Sequence, residues 1–458
     1  MHVWGAEEKC IFHVDVNSAF LSWSALRRLE EDPQGVDLRT IPSAVAGDVR
    51  TRHGIITAKS IPAGKMGVQT GEPVVKALQK CPQLVLVQSD FALYRMYSAA
   101  LMDLLREYTD LVEPASIDEA YLDMTQSRRR FPGENGDAPW PLSAAHEIRR
   151  RVFRELGFTV NVGISVNKLL AKMASDFEKP DRVHTLFPEE IPLKMWPLPM
   201  RELHGCGKAT CVRLHQMGID TIAQAAAMDP ALLQANLGEK SGAYIWRSAN
   251  GEGSDRVRPE HDKAKSISNE VTTPEDITYE TYGTKGLEIV RALSEKVASR
   301  MEKAGVYGQT VFINVKTEDF RRHSRQTALS SATRDPEVIR QQAELLMAQM
   351  LCGEDGLFAK GHAVRLIGVG CAGLTDGSCL QMDLFSWAQS LEEEKERKRE
   401  EQKRAESARR KQEEERARRS RLEEMMQKVR NRYGEDAIYK GAGEKPDKSH
   451  PDDGGSVL

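Results

Sequence analysis

Asp118 and Glu119 stand side by side in "EPASIDEAYLDM", residues 113–124, a stretch whose other members are mostly apolar. Two adjacent carboxylates repel and each is costly to desolvate, so a cation would make the pair worth keeping. Asp15 ends a second apolar run, "CIFHVDV", in the same manner. Three carboxylates emerging from adjacent strands of one sheet form an oxygen cage suited to Mg²⁺. Two such ions a few ångströms apart can activate an attacking hydroxyl and stabilise a departing phosphate in an in-line displacement. An isolated Asp-Glu dipeptide is better read as a turn-forming pair, and only the second acid-tipped run shifts that balance.

Lysines supply the complementary charge. In "NKLLAKMASDFEKP", Lys168, Lys172 and Lys179 are offset by four and eleven residues. On a helix at about 100° per residue this leaves them within roughly 40° of one another, as one basic stripe. Leu169, Leu170, Met173 and Phe177 cover much of the remaining surface and are expected to pack that helix onto a sheet. A solvated face is the plain alternative for such a stripe.

The elements that must position these groups follow from the hydrophobic pattern. "CIFHVDVNSAF" reads as a buried strand running into the helical spacing of "LSWSALRRLEED". Alternation in "ASIDEAYLDM" puts Asp118 and Glu119 at the tip or edge of a hairpin. Residues 40–85 read as short strands and turns. Helices are expected over "FALYRMYSAALMDLLREY" and near 143–156, followed by the strand "FTVNVGISV" and the lysine-bearing helix, which Pro180 halts. Residues 183–255 look all-helical. The polar run "GEGSDRVRPEHDKAK" reads as a hinge leading to a second mixed unit, with strands "QTVFINVKT" and "AVRLIGVG" around helices near 285–304 and 336–351.

With 458 residues the chain is long enough for several domains. A hydrophobic fraction of 40% and a charged fraction of 29%, without a long apolar window, exclude a helical membrane span. The acidic start "MHVWGAEEKC" is unlike a signal peptide, so a cytoplasmic location is expected. Net charge is −3, so any basic nucleic-acid surface must be local. Seven scattered cysteines with no CxxC pair argue against a disulfide framework and a zinc site, and buried free thiols are the simpler reading.

In their order and separations, "FHVDVNSAF", "SIDEAYLDMT", "GISVNKLLAKMASDFEKP" and "LHGCGKAT" resemble a Y-family translesion DNA polymerase of the bacterial DNA polymerase IV type, over about residues 10–385. The resemblance implies an α+β multidomain right hand. Its parts are a palm (1–20 and 88–182), fingers (21–87), helical thumb (183–255), linker (256–266) and α/β little finger (267–375); beyond the resemblance, interspersed opposite charges without an a/d apolar repeat read as a charged helical tail (388–434), and the polar end as disordered (435–458). The resemblance also implies two Mg²⁺ ions, primer-template DNA and dNTPs as partners, and a monomer. Asp15, Asp118 and Glu119 match the family's metal-binding carboxylates, and the Val16 carbonyl matches a further ligand. Phe20 matches the steric gate, a ring under the incoming sugar that leaves a 2′-hydroxyl no room. Without the motif, Phe20 would read as a core residue. Lys179 matches the lysine that contacts the triphosphate, while Lys168 and Lys172 are expected to face DNA.

The fingers depart from the family pattern. In "TAKSIPAGKMGV", Ile61 stands where a Tyr is usual and Gly64 where an Arg is usual, both grips on the triphosphate. Charge could come instead from Lys65 or Lys59, without the guanidinium fork. "LHGCGKAT" has the shape of a helix-hairpin-helix, with Gly205, Gly207 and Lys208 presenting amides to a DNA phosphate. A packing joint is its plain alternative. "GVGCAG" at 368–373 satisfies GxGxxG but is followed by no helix, so it reads as a strand end and loop and not as a dinucleotide site. "QMDLF", with Gln381, Leu384 and Phe385, resembles the pentapeptide that binds the bacterial sliding clamp. Two rivals stand beside the polymerase reading: a noncatalytic relative acting as a DNA and clamp adaptor, and a scaffold organised by the charged tail.

Overall fold

The computed structural model describes residues 8–47, 54–130, 140–260, 263–377, 416–432 and 434. The clamp-like pentapeptide, Cys379, residues 388–415 of the charged tail and the end beyond 434 lie outside the described residues. Within the tail, residues 416–432 are helical and largely exposed, as their dense charge requires.

The chain opens with strand β1 (Ile11–Val16) and helix α1 (Ala19–Glu31), followed by β2 (Ser43–Ala46), β3 (Ile56–Lys59), α2 (Ile61–Lys65), α3 (Val74–Lys80) and β4 (Val85–Gln88). Next come α4 (Phe91–Arg106), β5 (Val112–Pro114), β6 (Glu119–Asp123), α5 (Leu142–Arg151), β7 (Val160–Ser165), α6 (Lys168–Asp176) and β8 (Val183–Thr185). A five-stranded sheet, β5-β6-β1-β7-β8, forms the centre of the palm. β1, buried at every position, lies between β6 and β7, so Asp15 pairs with Glu119 on one side and Asn161 on the other. The fingers are a small sheet, β3-β2-β4, with their own core of Ala44, Ile56, Ala63, Val74 and Leu84. α1 lies within 21–87 but buries Leu21, Trp23 and Ala25 in the palm core, packing against α4 and against β2 and β3 of the fingers sheet.

The thumb holds α7 (Lys208–Gln216), α8 (Ile222–Ala227), α9 (Pro230–Leu237) and α10 (Glu239–Ala249). The little finger begins with β9 (Ser266–Ile277) and a single turn, α11 (Tyr279–Thr281), then α12 (Leu287–Lys303), β10 (Tyr307–Thr317), β11 (Arg322–Thr333), α13 (Pro336–Leu351) and β12 (Val364–Thr375). Its sheet order is β11-β10-β12-β9, and α12 and α13 pack on it.

Four expectations need correction. α6 ends at Asp176, so Lys179 is not on the helix, and the three lysines do not share one helical stripe. The apolar side of α6 faces the thumb: Leu169, Leu170 and Met173 join Leu186, Ile191 and Met195. What meets the sheet is the small-residue side, where a Cβ on Gly163 of β7 would lie 2.0 Å from the Ala171 carbonyl oxygen and 2.5 Å from the Ser175 nitrogen. The polar run after the thumb is partly docked, not a free hinge. Val257 is buried against Ile11 and Ala171, Ser254 accepts a hydrogen bond from the Lys168 amide (2.9 Å), and the Arg258 amide donates to Glu113 (2.6 Å). Finally, "GVGCAG" lies inside β12. Gly370 leaves room for the Phe312 ring, whose nearest atom would stand 2.3 Å from an added Cβ.

The contact at Gly163 gives a direct test of how α6 is seated. Gly163→Ala is expected to cost about 3 kcal/mol in denaturant unfolding, since neither clashing atom belongs to a flexible side chain. A loss below about 0.5 kcal/mol would contradict this packing.

Candidate active site

Asp15 and Glu119 are brought together by strand register, because both occupy paired positions of β1 and β6. Asp118 sits one residue earlier, in the turn that joins β5 to β6. The turn is closed by the Ala115 and Ser116 amides, which donate to the Glu119 carbonyl at 2.9 and 3.2 Å. The Val16 amide donates to the Asp118 carbonyl at 3.0 Å and ties that turn to the end of β1. The Ser116 hydroxyl donates to Asp118 Oδ1 at 2.6 Å, steadying the side chain. These groups open into a cleft of about 700 Å³ between palm and fingers, also lined by Phe20, Lys59, Ile61, Gly64, Lys65, Lys172 and Lys179.

The lysines are the counter-ions. Lys172 Nζ donates to Glu119 Oε1 at 2.6 Å and Asp15 Oδ2 at 3.1 Å, and lies 3.3 Å from Asp176. Lys179 Nζ donates to the same Asp15 oxygen at 2.9 Å and pairs with Asp176 at 2.9 Å. Burial opposes a charged Lys172, but Asp15, Glu119 and Asp176 outweigh it and hold its pKa above the ordinary lysine value. Asp15 responds in the opposite sense to a simple ion pair: burial pushes it up to about 6, only partly offset by Lys179 and Lys172. Glu119 is held well below the usual carboxylate range, by His13 beside it and by Lys172. His13 Nε2 is 3.8 Å from Glu119 Oε2, while its Nδ1 bonds to the Ser175 hydroxyl at 2.8 Å.

Lys172 and Lys168 are therefore not the DNA-facing residues expected. Lys172 is buried among the acids, and Lys168 pairs with Glu113 and covers the Tyr121 ring at 5.3 Å. Lys179 reaches the cleft from the segment after α6, which two asparagines hold in place. Asn161 donates to the carbonyls of Ser175 (3.0 Å) and Glu178 (2.7 Å) and accepts from Asn17 (3.1 Å), while Asn17 accepts from the Asp181 amide (2.9 Å). Sequence reasoning missed both, although an Asn inside the apolar strand "FTVNVGISV" is a legible signal, because a buried amide needs partners.

Phe20 lies in the first turn of α1. Its ring stacks on Tyr94 at 4.4 Å and 11°, with Phe91 edge-on at 6.1 Å, and the Tyr94 hydroxyl is 3.1 Å from that of Ser24. A ring clamped in this way cannot swing aside cheaply. In the fingers, Ser60 caps α2 by accepting from the Ala63 amide, exposing Ile61 to the cleft. Lys59 passes over Gly64, with Nζ 3.5 Å from where a Cβ would stand, and donates to the Val68 carbonyl at 2.7 Å. Lys65 is exposed. Gly205 (φ 82°) packs under Tyr244, and Gly207 and Lys208 begin α7 on the far side of a second cleft that also contains Lys179.

The donor set fits a hard divalent cation: carboxylate oxygens on rigid strand ends, with ammonium groups now neutralising them. Among the described residues, Glu318, Asp319 and His362 also bring ligand atoms within 4.8 Å of one another, but they lie on the little finger, where Glu318 already bonds to His362 and the Ala363 amide and Asp319 to Thr317.

A palm sheet with an acidic edge, facing fingers and a helical thumb, defines a right-hand nucleotidyltransferase architecture. A solved Y-family DNA polymerase chimera shares it, with a TM-score of 0.66 and 24% identity, covering 82% of this chain and all of that one. The impB/mucB/samB family model matches residues 14–176, and the model of that family's C-terminal domain matches residues 264–384. Similar relatives include DNA polymerase IV of Clostridium acetobutylicum, 39% identical over 82% of this chain and 90% of the relative. DNA polymerase IV 1 of Bacillus subtilis is 34% identical over 97% of this chain and 95% of the relative. The chain belongs to the impB/mucB/samB family, as a Y-family DNA polymerase of the polymerase IV type. That membership carries a divalent-metal requirement.

The raised Asp15 pKa has a sign that can be checked. A carboxyl raised from 3.8 to about 6 favours the fold fully below pH about 4, and that contribution fades as pH rises through about 6. In chelator, Asp15→Asn is expected to be more stable than wild type at pH 7 to 8, by about 1 to 3 kcal/mol, with the gap closing toward pH 4. Equal stability across that range in denaturant titrations would contradict the buried, ionised Asp15.

Proposed function

We propose that the chain is a template-directed DNA polymerase that extends a primer 3′ end in translesion synthesis, using two Mg²⁺ ions at Asp15, Asp118, Glu119 and the Val16 carbonyl. The observation carrying this reading is the paired register of Asp15 and Glu119, with Asp118 at the adjoining turn, on the floor of a cleft that also holds Phe20 and Lys179. When bound there, such ions supply charge stabilisation for an attacking hydroxyl and a departing pyrophosphate.

The chain's own residues do the rest. Phe20, braced by Tyr94, excludes a 2′-hydroxyl from the sugar position. Lys179 and Lys65 receive the triphosphate from the palm and fingers sides, and Lys59 lies beside them in place of a missing Arg. Lys172 holds the acids together before cations arrive. The amides of Gly205, Gly207 and Lys208 grip a DNA phosphate, so binding is salt-sensitive and sequence-tolerant. Convergence of the three acids speaks against a noncatalytic adaptor. We further propose a cytoplasmic monomer that docks on a sliding clamp through Gln381, Leu384 and Phe385. Among the described residues no helix is long and apolar enough to cross a membrane.

Primer extension with Mg²⁺ tests the core of this. Asp118→Ala is expected to lower the rate by about 10³-fold, and Phe20→Ala to admit ribonucleotides by about tenfold or more. An active Asp118→Ala enzyme, or unchanged sugar selectivity, contradicts the respective role. Deleting Leu384 and Phe385 is expected to abolish stimulation by a clamp and spare basal extension; equal loss of both contradicts tethering.

A further inference from the structure

Cys206 and Cys211 flank the loop that starts α7, in "HGCGKATC". Their sulfurs lie 3.5 Å apart. Both backbones are fixed, since the Cys206 amide donates to the Leu203 carbonyl and the Cys211 amide to the Gly207 carbonyl, each at 2.9 Å. The other described cysteines sit elsewhere: Cys10 in the palm core, Cys81 in the fingers core, and Cys352 and Cys371 in the little finger. Cys206 also lines the cleft of about 540 Å³ that runs between Lys179 and the thumb loop, and Cys211 is half-buried, so a small oxidant can reach the pair.

We propose that Cys206 and Cys211 are a modification site at which a hydroperoxide forms a reversible intramolecular disulfide, weakening the thumb's hold on DNA. The second half rests on the DNA-gripping reading given above; the first does not. Cys206 is buried and burial pushes its thiol up, whereas Cys211 is half-buried and the more accessible of the two, so Cys211 is the attacking sulfur. Cys211 loses its proton and attacks the terminal peroxide oxygen. The O–O bond breaks, the alcohol leaves with a proton, and Cys211 becomes a sulfenic acid. Cys206 then attacks that sulfur; the S–S bond forms, the S–O bond breaks, and water leaves with the Cys206 proton. Two thiols lose two electrons, and the hydroperoxide becomes alcohol and water.

Bonding requires the sulfurs to close to about 2.0 Å, a movement of roughly 1.5 Å. Gly205 is closely packed, since an added Cβ would stand 2.5 Å from the Tyr244 hydroxyl, whereas at Gly207 nothing lies within 4 Å of that position. Movement is therefore easiest at residues 206–208, which include Gly207 and Lys208, two of the three residues of the proposed phosphate grip.

The test treats the full-length protein with cumene hydroperoxide, alkylates remaining thiols, and digests with trypsin. Cleavage after Arg201, Lys208 and Arg213 separates the two cysteines, so the disulfide appears as peptide 202–208 joined to 209–213. Anisotropy with labelled primer-template gives the affinity of each form. The expected result is accumulation of the joined peptide, a rise in Kd of about threefold or more, recovery with dithiothreitol, and neither effect in Cys211→Ser or Cys211→Ala. Absence of the joined peptide while Cys352 oxidises overturns the pairing. A joined peptide with unchanged Kd overturns the regulatory consequence. Reduced protein that does not bind primer-template overturns the DNA-gripping reading and the consequence built on it, while the joined peptide still decides the pairing.

Discussion

Like charges placed side by side at the ends of neighbouring strands of the palm sheet are the constraint on which the rest of this structure depends. β-strand register puts Asp15 against Glu119, and the turn puts Asp118 next to both. Such a cluster is costly to fold unless positive charge is brought to it. The fold brings two ammonium groups, from Lys172 on α6 and Lys179 just beyond it, and both reach the same oxygen of Asp15. α6 can come that close because Gly163 presents no side chain to Ala171 and Ser175. The segment carrying Lys179 stays in place because Asn161 satisfies the carbonyls at its start. Electrostatics, packing and hydrogen bonding thus converge on a few cubic nanometres at the palm.

The same arrangement connects stability to function. The two ammonium groups that neutralise the acids differ in setting, Lys172 being buried among three carboxylates and Lys179 reaching the cleft from beyond α6. Phe20 is held apart from this charge network, its ring stacked on Tyr94 at the wall of the cleft. The fingers are less constrained. Gly64 leaves space that the Lys59 side chain crosses, and both line the cleft.

The acids were legible in the sequence because each ends an apolar run, a pattern that survives folding. The palm strands, α4, α12 and α13 were legible for the same reason of periodicity. Lys179 could be placed only by its motif: helical extrapolation from Lys168 failed because α6 ends at Asp176 and Asn161 then holds the Glu178 carbonyl in the segment beyond it. The burial of Lys172 was not legible, because a lysine at helical spacing looks the same whether its partner is water or three carboxylates. Val257, alone in a polar run, was hidden in the same way, since only tertiary contact with Ile11 and Ala171 shows that the linker is docked. The spacing of the β12 glycines matched a nucleotide-loop pattern, and the room that one of them, Gly370, leaves for Phe312 involves a residue on another strand that the sequence pattern does not show.

The most direct measurement is the number of Mn²⁺ ions bound per chain in the presence of primer-template and a non-hydrolysable dNTP, read by electron paramagnetic resonance. The account predicts two in wild type, with loss of binding in Asp15→Ala and Glu119→Ala. Unchanged stoichiometry in those variants, or loss of binding only when Glu318 and Asp319 are replaced, would contradict it.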